Sequence, residues 1–123
     1  MLYTYKKNEP QSDFFWQTID LQRLPGTTVL RGSAVKPNIN ASGDFTGGCG
    51  IGENGVCAME LISDENSLTA NKAWFFFDKE VVCLGNGINS TDENETETII
   101  ENRLVTDNSR FTVHGSEEVR VIS

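Results

Sequence analysis

Six short segments with a two-residue repeat restrict this chain to a β fold: 56–62 (VCAMELI), 72–78 (KAWFFFD), 80–84 (EVVCL), 98–105 (TIIENRLV), 111–114 (FTVH) and 119–122 (VRVI). Each is rich in β-branched or aromatic residues and is bounded by turn residues, and no long stretch repeats every 3.6 residues. The pattern predicts an all-β fold with little helix. In the 98–105 run the alternation puts Ile99, Glu101, Arg103 and Val105 on one face and Thr98, Ile100, Asn102 and Leu104 on the other. Neither face is purely apolar, which predicts a strand covered on both sides or meeting another domain.

Turn chemistry divides the rest. Pro25-Gly26 ahead of Thr27-Thr28-Val29 fits a type II turn leading into a strand at Thr27. Residues 43–55 (GDFTGGCGIGENG) contain six glycines, and such permissive backbones predict a loop or an irregular edge. The stretch lacks the lysine of a phosphate-binding loop, and no helix follows it whose N-terminus could receive an anion.

Charge narrows the partners. The chain of 123 residues carries 18 acids against 10 bases, a net charge of −8. Five bases and six acids in residues 1–62 leave −1; five bases and twelve acids in 63–123 leave −7. Nucleic-acid affinity rests on clustered Lys and Arg, so a nucleic-acid partner is not expected. No apolar stretch approaches the roughly 18 residues of a membrane-spanning helix, so no membrane partner is expected either. The start, MLYTYKKNEP, lacks the charged and apolar regions of a secretory signal.

Cys49, Cys57 and Cys83 show no C-x-x-C or Cys/His spacing, so no metal and no cofactor are expected. Cys57 and Cys83 lie in apolar runs, where a thiol reads as a small buried hydrophobe, although one disulfide is compatible with the spacing. The 89–97 loop (NSTDENETE) holds Asp92, Glu93, Glu95 and Glu97, a set that could ligate calcium. It lacks the glycine and terminal glutamate of an EF-hand, and reads better as a solvated acidic loop. Asn40, Asn89 and Asn94 satisfy N-x-[ST], which matters only in a glycosylating pathway.

His114 is the sole histidine and has no recognisable nucleophile motif beside it. It reads as a surface or interface residue. Acid pairs for glycoside hydrolysis meet in the fold rather than in sequence, and nothing here selects one. Trp16 and Trp74 could stack on sugars, but a tryptophan among the aromatics of KAWFFFD reads first as core.

The order of segments resembles polysaccharide lyase family 8, which includes hyaluronate, chondroitin and xanthan lyases. FFWQTIDLQRLPGTTV (14–29) is similar to the approach to that family's central β domain, and GGCGIGENGVCAMEL (47–61) to its next hairpin. NKAWFFFDKEVVCLGNGINS (71–90) resembles its most recognisable strand pair, and TETIIENR (96–103) the segment after it. Leu21 stands where a tryptophan is expected, and Cys57 and Cys83 where small residues are common; these departures touch packing.

The resemblance implies an antiparallel β-sandwich, with residues 1–123 a single partial domain at the start of the central sandwich and 1–13 a frayed lead-in. It implies a secreted or periplasmic enzyme with an N-terminal α/α toroid, Met1 corresponding to an internal methionine, and an acidic polysaccharide as substrate of the complete enzyme. In that family the C5 proton of a uronic acid is removed and the 4-linked oxygen leaves, through Asn, His, Tyr and Arg residues on the toroid. Those motifs are absent here, so no catalytic residue is assigned, His114 included. Candidate substrate contacts are Trp16 as a platform and Arg23, Asn102 and Arg103 as polar groups; Arg103 could equally pair with Glu101 or another acid across a sheet. The alternative is an independent β-sandwich carbohydrate-binding or adhesion module without enzyme activity.

Overall fold

The computed structural model describes residues 15–33, 43–102, 111–115 and 119–122. The regular elements among the described residues are strands, apart from one short helix, α1 (Phe15–Thr18). Strands β1 (Thr28–Leu30), β2 (Thr46–Ile51), β3 (Asn54–Ile62), β4 (Thr69–Phe76), β5 (Val81–Asn89) and β6 (Thr96–Thr98) follow in order. Two further strands, β7 (Phe111–His114) and β8 (Val119–Ile122), come last. All pairings are antiparallel. The chain divides into two compact units, one formed by Thr28–Thr98 and one by the flanking segments Met1–Thr27 and Ile99–Ser123.

The Thr28–Thr98 unit contains a four-stranded meander, β2-β3-β4-β5, and a two-stranded sheet, β1-β6. Among its described residues the buried side chains are Thr28 and Leu30 of β1, Leu68 just before β4, and Ala70 and Lys72 within β4. Along β4 the pleat is visible in burial, since Ala70 and Lys72 are buried while Asn71 between them is exposed. The opposite face, by register, carries Ile51, Val56, Phe75, Val82 and Leu84. Three of these are exposed, Ile51 at 83% and Leu84 at 55% with Val82 at 40%.

The glycine-rich stretch is not a loop throughout: Thr46–Ile51 is strand β2, in full register with β3 from Thr46 opposite Met59 to Ile51 opposite Asn54. Close approach accounts for the glycine at position 48. A Cβ on Gly48 would lie 2.8 Å from the Val56 carbonyl oxygen and 3.2 Å from the Cys57 Cβ, so β2 sits against β3 as only glycine allows. The 98–105 segment also departs from expectation, because β6 ends at Thr98. Ile99 gives its N–H to the Thr27 carbonyl (2.9 Å) and accepts from the Gly26 N–H (2.7 Å), so it secures a turn; Arg103 and residues 104–105 lie outside the described residues.

That turn is the one expected at Pro25-Gly26. The Thr27 N–H bonds the Leu24 carbonyl at 3.1 Å and Gly26 has φ 77°, as a type II turn requires. Strand β1 begins at Thr28.

The acidic stretch after β5 is tied down more than a solvated loop would be. Arg31 bonds Glu95 through Nη1 (3.0 Å) and lies 3.4 Å from Glu97 through Nε, and its backbone N–H donates to the Glu95 carbonyl at 2.8 Å. Asp92 accepts from the Ser67 hydroxyl, from the Ser67 N–H at 2.9 Å and from the Ser90 hydroxyl at 3.2 Å. In turn the Ser67 hydroxyl oxygen accepts from the Thr91 N–H at 2.8 Å. These bonds clasp the β3–β4 and β5–β6 connections together.

The Ser67 hydrogen bonds favour the charged carboxylate and lower the Asp92 pKa. A depressed folded-state value means that the clasp is at full strength above the ordinary carboxylate pKa and weakens as pH falls through the lowered one. An NMR titration is expected to place the Asp92 carboxyl inflection below that of exposed aspartates, and Ser67→Ala to move it back up. An inflection unmoved by Ser67→Ala would contradict the clasp.

Candidate functional site

Trp16 lies in the four-residue helix α1 and is 57% exposed. Arg23 is exposed just before the Pro25-Gly26 turn. Asn102, half-buried, reaches back 79 residues and donates its Nδ2 to the Arg23 carbonyl at 2.7 Å. With the two Ile99 backbone bonds, this fixes the 20–27 turn against the 99–102 segment. Arg23 and Asn102 are thus brought together, and the Asn102 amide holds the backbone from which the Arg23 guanidinium projects. Arg103 lies outside the described residues.

A second cluster was not singled out by motif. Lys72 is buried, with Nζ donating to Thr28 Oγ1 at 2.9 Å and standing 5.3 Å from the centroid of the Trp74 ring. Thr28 Oγ1 is also 3.0 Å from Thr98 Oγ1, so one lysine joins the β1-β6 pair to β4. Burial lowers the Lys72 pKa, and the charge of nearby Cys83 acts in the opposite sense. Strand alternation in KAW places Lys72 and Trp74 on one face, which is the signal that could have found the cluster. Trp74 is half-buried, in the middle of β4.

Cys57 and Cys83 both stand opposite Trp74, on the strands at either side of β4. Two strand spacings separate them by about 9.5 Å, beyond the roughly 7 Å that a disulfide spans. All three thiols are free. Cys57 is half-buried, but Cys83 is exposed, contrary to the buried position its apolar run suggests, because β5 is an edge strand exposed along its length. His114 is exposed at the end of β7, opposite Val119. Among the described residues, no three His, Cys, Asp or Glu side chains are grouped to hold a metal, and no helix is long and apolar enough to cross a membrane.

The family model for polysaccharide lyase family 8, super-sandwich domain, matches residues 1–122. A xanthan lyase of Bacillus sp. (strain GL1) is 40% identical over 102 residues, covering 82% of this chain and 11% of that protein. A hyaluronate lyase of Thermasporomyces composti is 36% identical over 104 residues, covering 82% of this chain and 13% of its own length. Among solved structures, the Streptomyces coelicolor A3 chondroitin AC lyase in complex with chondroitin sulphate superposes with a TM-score of 0.74 at 31% identity. That match covers 94% of this chain and 17% of the lyase. The chain therefore spans between about a tenth and a sixth of the length of these relatives.

Proposed function

Because the chain belongs to polysaccharide lyase family 8, we propose that it serves as a β-sandwich segment of an enzyme that cleaves uronic-acid-containing polysaccharides, glycosaminoglycans or xanthan, by β-elimination. In this reading the segment supplies a wall of the substrate cleft and the reacting groups lie elsewhere, on an N-terminal α/α toroid of a secreted or periplasmic protein. The observation that carries the proposal is the likeness, over 94% of the chain, to a lyase solved with an acidic polysaccharide bound.

The chemistry sets the division of labour. Elimination needs a base against the C5 proton, an acid for the departing 4-linked oxygen and a neutraliser for the uronate carboxylate, all in place at once. The described residues present one histidine at a strand end and no phenol, since Tyr3 and Tyr5, the chain's two tyrosines, lie outside them. What they do present is an exposed guanidinium, Arg23, on a backbone stapled by Asn102, with Trp16 seven residues before it. An arginine fork grips a carboxylate through two bonds, and an exposed indole offers an apolar platform to a sugar ring. Arg23 would hold a uronate and Asn102 would fix its approach.

The test is a titration of the chain with chondroitin or hyaluronan oligosaccharides followed by tryptophan fluorescence. Binding is expected to be weak and salt-sensitive, since a −8 segment repels a polyanion except where a cation is presented. Arg23→Ala is expected to lower affinity about tenfold, the worth of a charge-assisted pair. Affinity unchanged by Arg23→Ala would remove Arg23 from the substrate path.

A further inference from the structure

Two Asn-Gly pairs occur in this chain, Asn54-Gly55 and Asn86-Gly87, and the fold treats them differently. Asn-Gly is the sequence most open to intramolecular attack of a backbone nitrogen on a side-chain amide, because glycine offers no side chain to obstruct it. At the first pair the backbone is committed: Gly55 stands in register with Gly50 of β2 on one side and Phe76 of β4 on the other. At the second it is not. The β4–β5 ladder shifts register between Thr69 and Asn71, pairing Asn71 with Asn86 and Thr69 with Asn89, so Gly87 falls in a bulge.

Gly87 has φ 60°, the left-handed conformation typical of glycine at such bulges. Its N–H donates to Oδ1 of its own predecessor, Asn86, at 2.8 Å. The Asn86 side chain is thereby folded back over the Gly87 nitrogen. Oδ1 is one carbonyl bond from Cγ, so nucleophile and electrophilic carbon are held within about 4 Å. Asn86 is exposed on the edge strand, where water and hydroxide reach it.

We propose that Asn86 is a site of spontaneous covalent modification, converting to aspartate and isoaspartate in preference to Asn54. The deprotonated Gly87 nitrogen forms a bond to Asn86 Cγ, the Cγ–Nδ2 bond breaks and ammonia leaves, giving a five-membered succinimide. Water then opens the ring at either carbonyl. Opening at the main-chain carbonyl yields isoaspartate, which lengthens the backbone of β5 by one carbon at the bulge; opening at the other yields aspartate. Each product adds one negative charge opposite Asn71 on β4, and isoaspartate makes the chain a substrate for carboxyl methylation by an isoaspartyl methyltransferase.

The experiment compares the two sites within one molecule. The folded chain is held in warm, mildly alkaline buffer, digested at intervals and analysed by mass spectrometry for the single mass unit gained by each asparagine peptide. Isoaspartate is scored by methyl transfer from S-adenosylmethionine. The Asn86 peptide is expected to convert at least about fivefold faster than the Asn54 peptide, the ratio imposed if Gly55 must first leave a ladder bond. In denaturant the two rates are expected to draw together. Asn54 converting as fast as Asn86 in the folded chain would overturn the proposal, as would a difference that persists unchanged in denaturant. Asn86→Gln, which cannot close the same five-membered ring, is expected to abolish the signal at that peptide.

Discussion

Lys72→Ala is expected to destabilise the Thr28–Thr98 unit by about 3 kcal/mol, while Lys72→Met leaves stability within about 1 kcal/mol of the parent. Lys72 is 8% exposed, so truncation to alanine vacates the volume of a four-carbon stem as well as removing an ammonium. It also removes the donor to Thr28 Oγ1 and the cation over the Trp74 ring. Methionine keeps most of the volume and discards a charge that is costly to bury. Thr28 Oγ1 is not orphaned by either change, because Thr98 Oγ1 stands 3.0 Å away.

The same residue gives the unit a pH dependence whose sign follows from its environment. Burial holds the Lys72 pKa below the ordinary lysine value of 10.5. Between the lowered value and the ordinary one the unfolded chain keeps a proton that the folded chain has lost, so stability rises with pH across that window. Below it the burial penalty is fully present. Urea unfolding followed by tryptophan fluorescence should show this slope in the parent and its loss in Lys72→Met. If Lys72→Ala cost less than about 0.5 kcal/mol, as an exposed surface change does, the lysine would not join the sheets.

Much of the strand layout was legible because alternation and turn residues are local. The segments 56–62, 72–78 and 80–84 overlap β3, β4 and β5, while 111–114 and 119–122 coincide with β7 and β8. The Pro25-Gly26 turn was legible for the same reason. Strand β2 was not legible from alternation, which glycine does not carry; it was the resemblance of 47–61 to a family hairpin that pointed to it, and its glycine at 48 answers to the proximity of β3, which no local window contains. The end of β6 was misplaced because Ile99 bonds a turn more than seventy residues earlier in the chain. At the candidate site, residue type singled out Arg23 and Asn102 separately, but their contact spans 79 residues. Lys72 was passed over because lysine in a strand reads as solvent-facing, and its burial depends on Thr28 arriving from 44 residues away.

The most direct test of the scaffold role is a lyase assay on the pure 123-residue chain with hyaluronan, chondroitin sulfate and xanthan, following the ultraviolet absorbance of the unsaturated uronate product. The sample should first show the far-UV circular dichroism of a β protein. No product is expected, because elimination needs a base, an acid and a carboxylate neutraliser within hydrogen-bonding distance at once. Among the described residues, the lone histidine sits at the end of β7 and the candidate uronate contact Arg23 lies on a turn. Sustained turnover by this chain, lost on His114→Ala, would contradict the assignment and place the catalytic groups within the β segment itself.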